Sequence, residues 1–193
     1  MAARPGRGPA RPHRKAARRD GTLEFMGRER ERDRGEGHPA ESPDLDHARL
    51  LADYDAAMEV ALAEVEHAFL IADGDWAQRM GAAVARLLTL AARNHDQARL
   101  CTVGVFAAGP DGIARRDAWL RRFAALRDAG LAAGDGEESS RLGSAMATGA
   151  LFELVRAHAS DGRLDRLEDA LPTALLVVLG PSIGRDAALR LAG

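Results

Sequence analysis

The sequence predicts an all-α protein: a helical domain of about six to seven helices over 44–193, preceded by a disordered Arg-rich tail over 1–43. Three observations carry this. Apolar residues from Leu51 onward recur at steps of three and four, the period of helices that bury one face. Short breakers separate the runs: Asp73-Gly74, Asn94-His95-Asp96, Gly109-Pro110-Asp111-Gly112 and Ser160-Asp161-Gly162. Both tryptophans, Trp76 and Trp119, fall in one stretch ending at Phe123, and so large an apolar payload places a core there.

The tail is set apart by charge. The first 35 residues hold eleven Arg/Lys against five Asp/Glu, leaving sixteen against twenty-four for the remainder and a net charge of −2. Leu23, Phe25 and Met26 are its only large apolar side chains beyond Met1, too few to offset chain entropy. Two readings of the tail stay open. It contacts nucleic acid through its arginines, or it is an unselected extension from a misassigned start or a change of reading frame. The acidic remainder repels phosphate backbones and is a poor DNA binder by itself.

The first helix opens at Ser42-Pro43-Asp44 or Asp46, where Ser or Asp caps and Pro is tolerated in the first turn. Leu51, Tyr54, Met58, Ala61/Leu62, Val65 and Phe69 form its stripe, with Asp53, Asp55, Glu59, Glu64 and Glu66 mostly off it. The second carries Trp76, Met80, Ala83/Val84, Leu87 and Ala91; a short third carries Leu100, Val103 and Ala107; a fourth carries Trp119 and Phe123. A glycine-rich join, 130–140, leads to a helix opening at Glu137-Glu138-Ser139, where acids favour the positive end of the dipole. Its residues Leu142, Met146, Leu151, Phe152, Leu154 and Val155 do not share one stripe. A last long helix, Leu164 to Leu179, is apolar around most of its circumference; Pro172 bends or restarts it and Gly180-Pro181 stops it. A short helix from Arg185 to Leu191 closes the chain.

Two long helices apolar on more than one side must be covered on more than one side. A two-fold dimer, each pair packing on its counterpart as a four-helix bundle, meets that need. The interface candidates are Leu151, Leu154, Val155, Leu167, Leu171, Leu175 and Val178. Both helices lying centrally in a monomer is the alternative.

The wording of the chain adds a family resemblance. It lies in Asp75-Trp76, Leu87-Leu88, Ala98-Arg99-Leu100, Ala107-Ala108-Gly109, Arg115-Arg116-Asp117 and Gly149-Ala150-Leu151-Phe152-Glu153-Leu154. It continues in Leu171-Pro172 through Leu179 and in Pro181-Ser182-Ile183-Gly184 with Ala187-Ala188. In order and spacing, about 50–192 resembles the C-terminal, ligand-binding and dimerisation domain of TetR-family transcriptional regulators. The resemblance implies the same helical dimer. It also implies an apolar cavity between core helices, where an effector changes the spacing of two DNA-reading heads. The family's helix-turn-helix unit needs roughly 45 residues with a small core; the region before Leu50 shows no match to it.

Trp76, Met80, Leu87, Phe106, Trp119, Phe123 and Met146 are the candidate cavity lining, and ordinary core is the alternative for each. No charged residue clearly falls on the inner stripe, so a small, mainly apolar effector is expected. Glu64-x-x-His67 has the spacing of a di-iron half-site but lacks a second pair, and the six histidines are scattered without ligand spacing. His95 reads as part of a turn, and His158 as a cation near a helix C-terminus. No phosphate loop, dinucleotide fingerprint, C-x-x-C or G-x-S-x-G is present. No metal, cofactor or catalysis is expected. Cys101, the single cysteine, reads as a small core residue in a reducing cytoplasm. No membrane span is expected, because the longest apolar run, Leu171 to Leu179, is too short and contains Pro172. The sequence thus reads as the effector-binding, homodimerising half of a regulator, with DNA contact by this chain doubtful. The other reading is a stand-alone helical interaction protein without DNA binding or catalysis.

Overall fold

The computed structural model describes residues 43–129 and 137–193, which belong to one compact unit. The basic tail, expected to be disordered, and the core of the glycine-rich join lie outside the described residues. Those described form seven α-helices and two 3₁₀ segments and contain no strand, so the all-α expectation holds. The helices are α1 (Pro43–Ile71), α2 (Trp76–Arg93), α3 (His95–Thr102), α4 (Gly109–Asp128), α5 (Glu137–Ser160), α6 (Leu171–Ile183) and α7 (Arg185–Arg190). The 3₁₀ segments are Gly104–Ala108 and Leu164–Ala170.

Helix α1 buries Tyr54, Ala57, Met58, Leu62 and Val65 at helical spacing. Its acids face a neighbour instead of solvent alone. His47 lies 3.1 Å from Asp111, Asp55 meets Arg115 and accepts from Trp119 Nε1 at 2.9 Å, and Glu59 meets Arg122 at 3.0 Å. Residue numbers rise together along both helices, so α1 and α4 run parallel along this seam. Exposed pairs of this kind contribute little to stability but fix register.

The turn from α1 to α2 is specified locally. Asp75 caps α2, accepting from Gln78 N at 3.0 Å while Gln78 Oε1 accepts from Asp75 N at 2.9 Å. Arg79 reaches back to the otherwise unpaired carbonyls of Phe69 and Leu70 at 3.1 and 3.3 Å. Asn94 closes α2 by donating from Nδ2 to Leu90 O. Gly109-Pro110-Asp111-Gly112, read as a break, is instead the first turn of α4, with Pro110 where a missing N–H costs nothing.

Two core clusters result. The larger joins α1, α2, α3, α5, α6, α7 and the second 3₁₀ segment through Val65, Leu88, Leu151, Leu167, Leu175 and Leu179, among others. The smaller gathers Tyr54, Met58, Leu62, Val105 and Trp119. The expectation that the core centres on 76–123 is therefore corrected. Leu164, Leu167, Leu175 and Leu179, near the C-terminus, are among the most deeply buried side chains, whereas Trp76 is half-buried.

The predicted helix from Leu164 to Leu179 is two elements. Leu164–Ala170 is a 3₁₀ segment, in which every third residue eclipses; Leu164 and Leu167 share its inner side. Pro172 then sits in the first turn of α6, the restart that the sequence allowed. Gly180-Pro181 does not stop α6, which runs on to Ile183. Pro181 forfeits one hydrogen bond only two residues from the end, and the real stop is Gly184 at φ 84°.

Candidate functional site

A half-open cavity of about 130 Å3 lies between the two clusters. Helix α1 contributes Ala57, Met58, Ala61 and Val65, and α4 contributes Leu120, Phe123, Leu126 and Arg127. Thr148, Leu151, Phe152 and Val155 come from α5, and Val178 from α6. The wall on α2 runs from Met80 through Ala83, Val84, Leu87, Leu90 and Ala91 to Asn94, about 21 Å of helix axis at the usual rise. Asn94 and Gln97, both exposed, mark the outer end, and Ala98, Cys101 and Thr102 of α3 continue that side.

Of the seven lining candidates, Met80, Leu87 and Phe123 stand in this wall. Trp76 packs against the larger cluster, outside the wall. Phe106 and Trp119 belong to the smaller cluster beside Tyr54. Met146 is 67% exposed on the outer side of α5, because a helix apolar all round does not announce which side faces inward.

The interface candidates are corrected more strongly. Leu151, Val155, Leu167, Leu175 and Val178 are buried within the single chain, and Leu154 and Leu171 pack against the same cluster. They are core, so none of the buried five is available to a partner. On α5 and α6 the apolar surface left outside is different: Leu142 and Met146 on α5, flanked by exposed Ala145 and Ala150, and Pro172 with half-buried Leu176 and Val177 on α6.

The expectation of an uncharged inner face is also overturned. Arg127 is only 4% exposed and lines the cavity. Its Nε donates to Val178 O at 3.2 Å, Nη1 to Ser144 Oγ at 2.6 Å and Nη2 to Ser182 Oγ at 2.7 Å, tying α4 to α5 and α6. Ser144 Oγ in turn donates to Asp128. Burial lowers the pKa of Arg127, and Asp128 partly opposes that shift. The guanidinium lies 5.8 Å from the centre of the Trp76 ring. The sequence carried a signal for this residue, since Arg127 stands four after Phe123 and eight after Trp119, on their face of α4.

Half-buried Cys101 lines this region, and fully buried Tyr54 lies in the smaller cluster beside it. Burial pushes the Cys101 thiol up to about 12 and raises the Tyr54 phenol, whose oxygen has no hydrogen-bond partner. A thiol held protonated is a poor nucleophile. Both groups keep their protons in the folded chain at pH values where the unfolded chain loses them. The associated stability is complete below about pH 9 and is lost as pH rises from there toward about 12. The melting temperature therefore falls between pH 9 and 10 by an amount equivalent to about 1.4 kcal/mol. That slope is shallower in Cys101→Ala; an identical profile in the variant refutes the assignment.

Glu64 pairs with Arg86 at 2.5 Å and His67 is exposed, so the Glu-x-x-His spacing belongs to the surface of α1. His158 Nδ1 lies 2.9 Å from Leu154 O near the end of α5. Among the described residues no group of three His, Cys, Asp or Glu could hold a metal, and no helix is long and apolar enough to cross a membrane. Comparison of the chain with protein-family profiles, curated proteins and solved structures finds no match.

Proposed function

We propose that residues 44–193 form the effector-binding and dimerisation domain of a TetR-like transcriptional regulator acting in the cytoplasm. The supporting observation is the cavity of about 130 Å3, bounded by six α-helices and walled almost wholly by apolar side chains. Such concave, mostly apolar sites with few polar groups take small molecules. A cavity of that order holds a body about the size of benzene or a narrow chain. Because α1 to α6 all border it, an occupant biases how these helices sit against one another, which is the means of coupling an effector to a distant reading head.

A second copy of the chain supplies the partner, packing on the outer side of α5 where Leu142 and Met146 are 63% and 67% exposed. Exposed Ala145 and Ala150 and half-buried Gly149 let a second helix approach closely there. DNA contact falls to the basic tail, 1–43, or to a helix-turn-helix unit outside this sequence. The second reading, a helical interaction protein without DNA binding, is favoured by the acidic balance after residue 35, sixteen bases against twenty-four acids.

One set of measurements on the full chain tests the proposal: sedimentation velocity and thermal melting with a panel of small apolar molecules. A dimer that Met146→Glu splits, stabilised by panel members in the wild type but not in cavity-filling Ala83→Phe, is the expected result. A dimer indifferent to every small molecule favours the interaction module, and a monomer indifferent to all of them removes the regulator reading.

A further inference from the structure

We propose that the cavity takes a straight-chain aliphatic carboxylate, with its head group on Arg127 and its tail along α2. This rests on the cavity being a ligand site, as proposed above, and names the chemistry of its occupant. A guanidinium carries five N–H donors in a fixed fork. Arg127 commits one from each nitrogen, all to neutral acceptors: the Val178 carbonyl and the Ser144 and Ser182 hydroxyls. Two N–H groups remain, and among the described residues Arg127 forms no ion pair. Asp128 acts on it through space and shares Ser144 with it, but the two make no direct ion pair. A buried cation so placed is short of one anion.

The Trp76 ring flanks the guanidinium from outside the cavity wall. The Trp76 indole N–H is buried with no acceptor, and the Trp76 ring sits 5.8 Å from the guanidinium. A carboxylate offers about four acceptor sites on two oxygens and pairs with a guanidinium fork bidentately. A head group in the cavity therefore answers the deficit of Arg127, whereas Trp76 stands outside the wall.

The shape of the cavity selects the tail. Trp76 opens α2, so Arg127 stands at the Met80 end of the wall, while exposed Asn94 and Gln97 stand at the other. The walls between are mainly apolar, and the lining follows α2 from Met80 to Asn94. That extended lining suits an unbranched alkyl chain, with its head on Arg127 and its tail toward exposed Asn94 and Gln97.

Isothermal titration of the full chain with decanoate and with 1-decanol tests this. Decanoate binds about tenfold or more tightly than the alcohol of equal length, the margin of a charge-assisted hydrogen-bonded pair. In Arg127→Met the preference disappears while 1-decanol still binds; Arg127→Lys retains part of it. Equal affinities in the wild type overturn the head-group assignment and leave the cavity standing as a ligand site. Absence of binding by either compound overturns both. Because Arg127→Met removes three structural hydrogen bonds, a measurement on the wild type stands beside it. The carboxyl carbon of labelled decanoate, followed by NMR, stays ionised to lower pH bound than free. A bound carboxyl that titrates at or above its free value overturns the proposal.

Discussion

Leu175→Ala lowers the stability of the folded chain by about 2–5 kcal/mol, the range for a fully buried leucine whose neighbours cannot collapse into the gap. Leu175 is 1% exposed and lies in the larger cluster, where its Cδ2 would stand 3.7 Å from a Cβ placed on Gly81. Helix α2 comes close to α6 there, and no side chain at residue 81 can swing in to fill the void. Chemical denaturation measures the loss, and protein concentration decides its meaning. The loss is the same at low and high concentration, because Leu175 is packed within one subunit. Were Leu175 an interface residue, as the sequence pattern suggested, the variant would dissociate on dilution while each subunit stayed folded.

Gly112→Ala is the second large effect, about 3 kcal/mol or enough to populate the unfolded state at moderate temperature. A Cβ at residue 112 would land on the carbonyl of Val105, a backbone group that cannot rotate away, with the Ala108 methyl at 3.1 Å. The 3₁₀ segment Gly104–Ala108 would have to lift off α4, carrying Val105, which is 0% exposed, out of the smaller cluster. Thermal melting with near-ultraviolet circular dichroism reads this through Trp119 in that cluster. Gly109 makes a useful contrast: at φ 58° it is strained for other residues, yet nothing lies within 4 Å of its added Cβ. Gly109→Ala therefore costs about 1–3 kcal/mol of backbone strain alone and leaves the Trp119 signal intact. A Gly112→Ala protein as stable as wild type is incompatible with the close approach.

These two positions show where reading the chain succeeds and where it stops. The stripe on α2, Met80 through Ala91, named its inward side correctly because the opposite side is polar or small. The stripe on α1 succeeded for the same reason, with Tyr54, Met58, Leu62 and Val65 all buried. For α6 the period found the stripe Leu171, Ala174/Leu175 and Val178, which is the buried side, but not what covers it. Leu176, Val177 and Leu179 extend that stripe around the helix, so the pattern left open whether its own chain or a partner covers it. The segment before it misled differently. Leu164 and Leu167 are three apart in either helix type, so a 3₁₀ turn looks like α-helix over so short a span. Arg127 was passed over because charge outweighed register in reading α4. Its cost of burial is met by groups from α5 and α6, which lie 17 and 51 or more residues further along the chain.

By itself the sequence determined that the protein is helical, where most helices begin and end, and which sides of α1 and α2 face inward. Each of these depends on groups within about four residues of one another: a side chain and the next turn, Asp75 and the N–H of Gln78, a glycine at a stop. Tertiary structure alone decided that Leu167, Leu175 and Val178 are spent inside one subunit, that Met146 is left outside, and that a charged Arg127 stands in an apolar wall. Those outcomes turn on contacts between distant segments, where burial follows the competition of all apolar surfaces for one shared interior, and local periodicity carries no record of which surface wins.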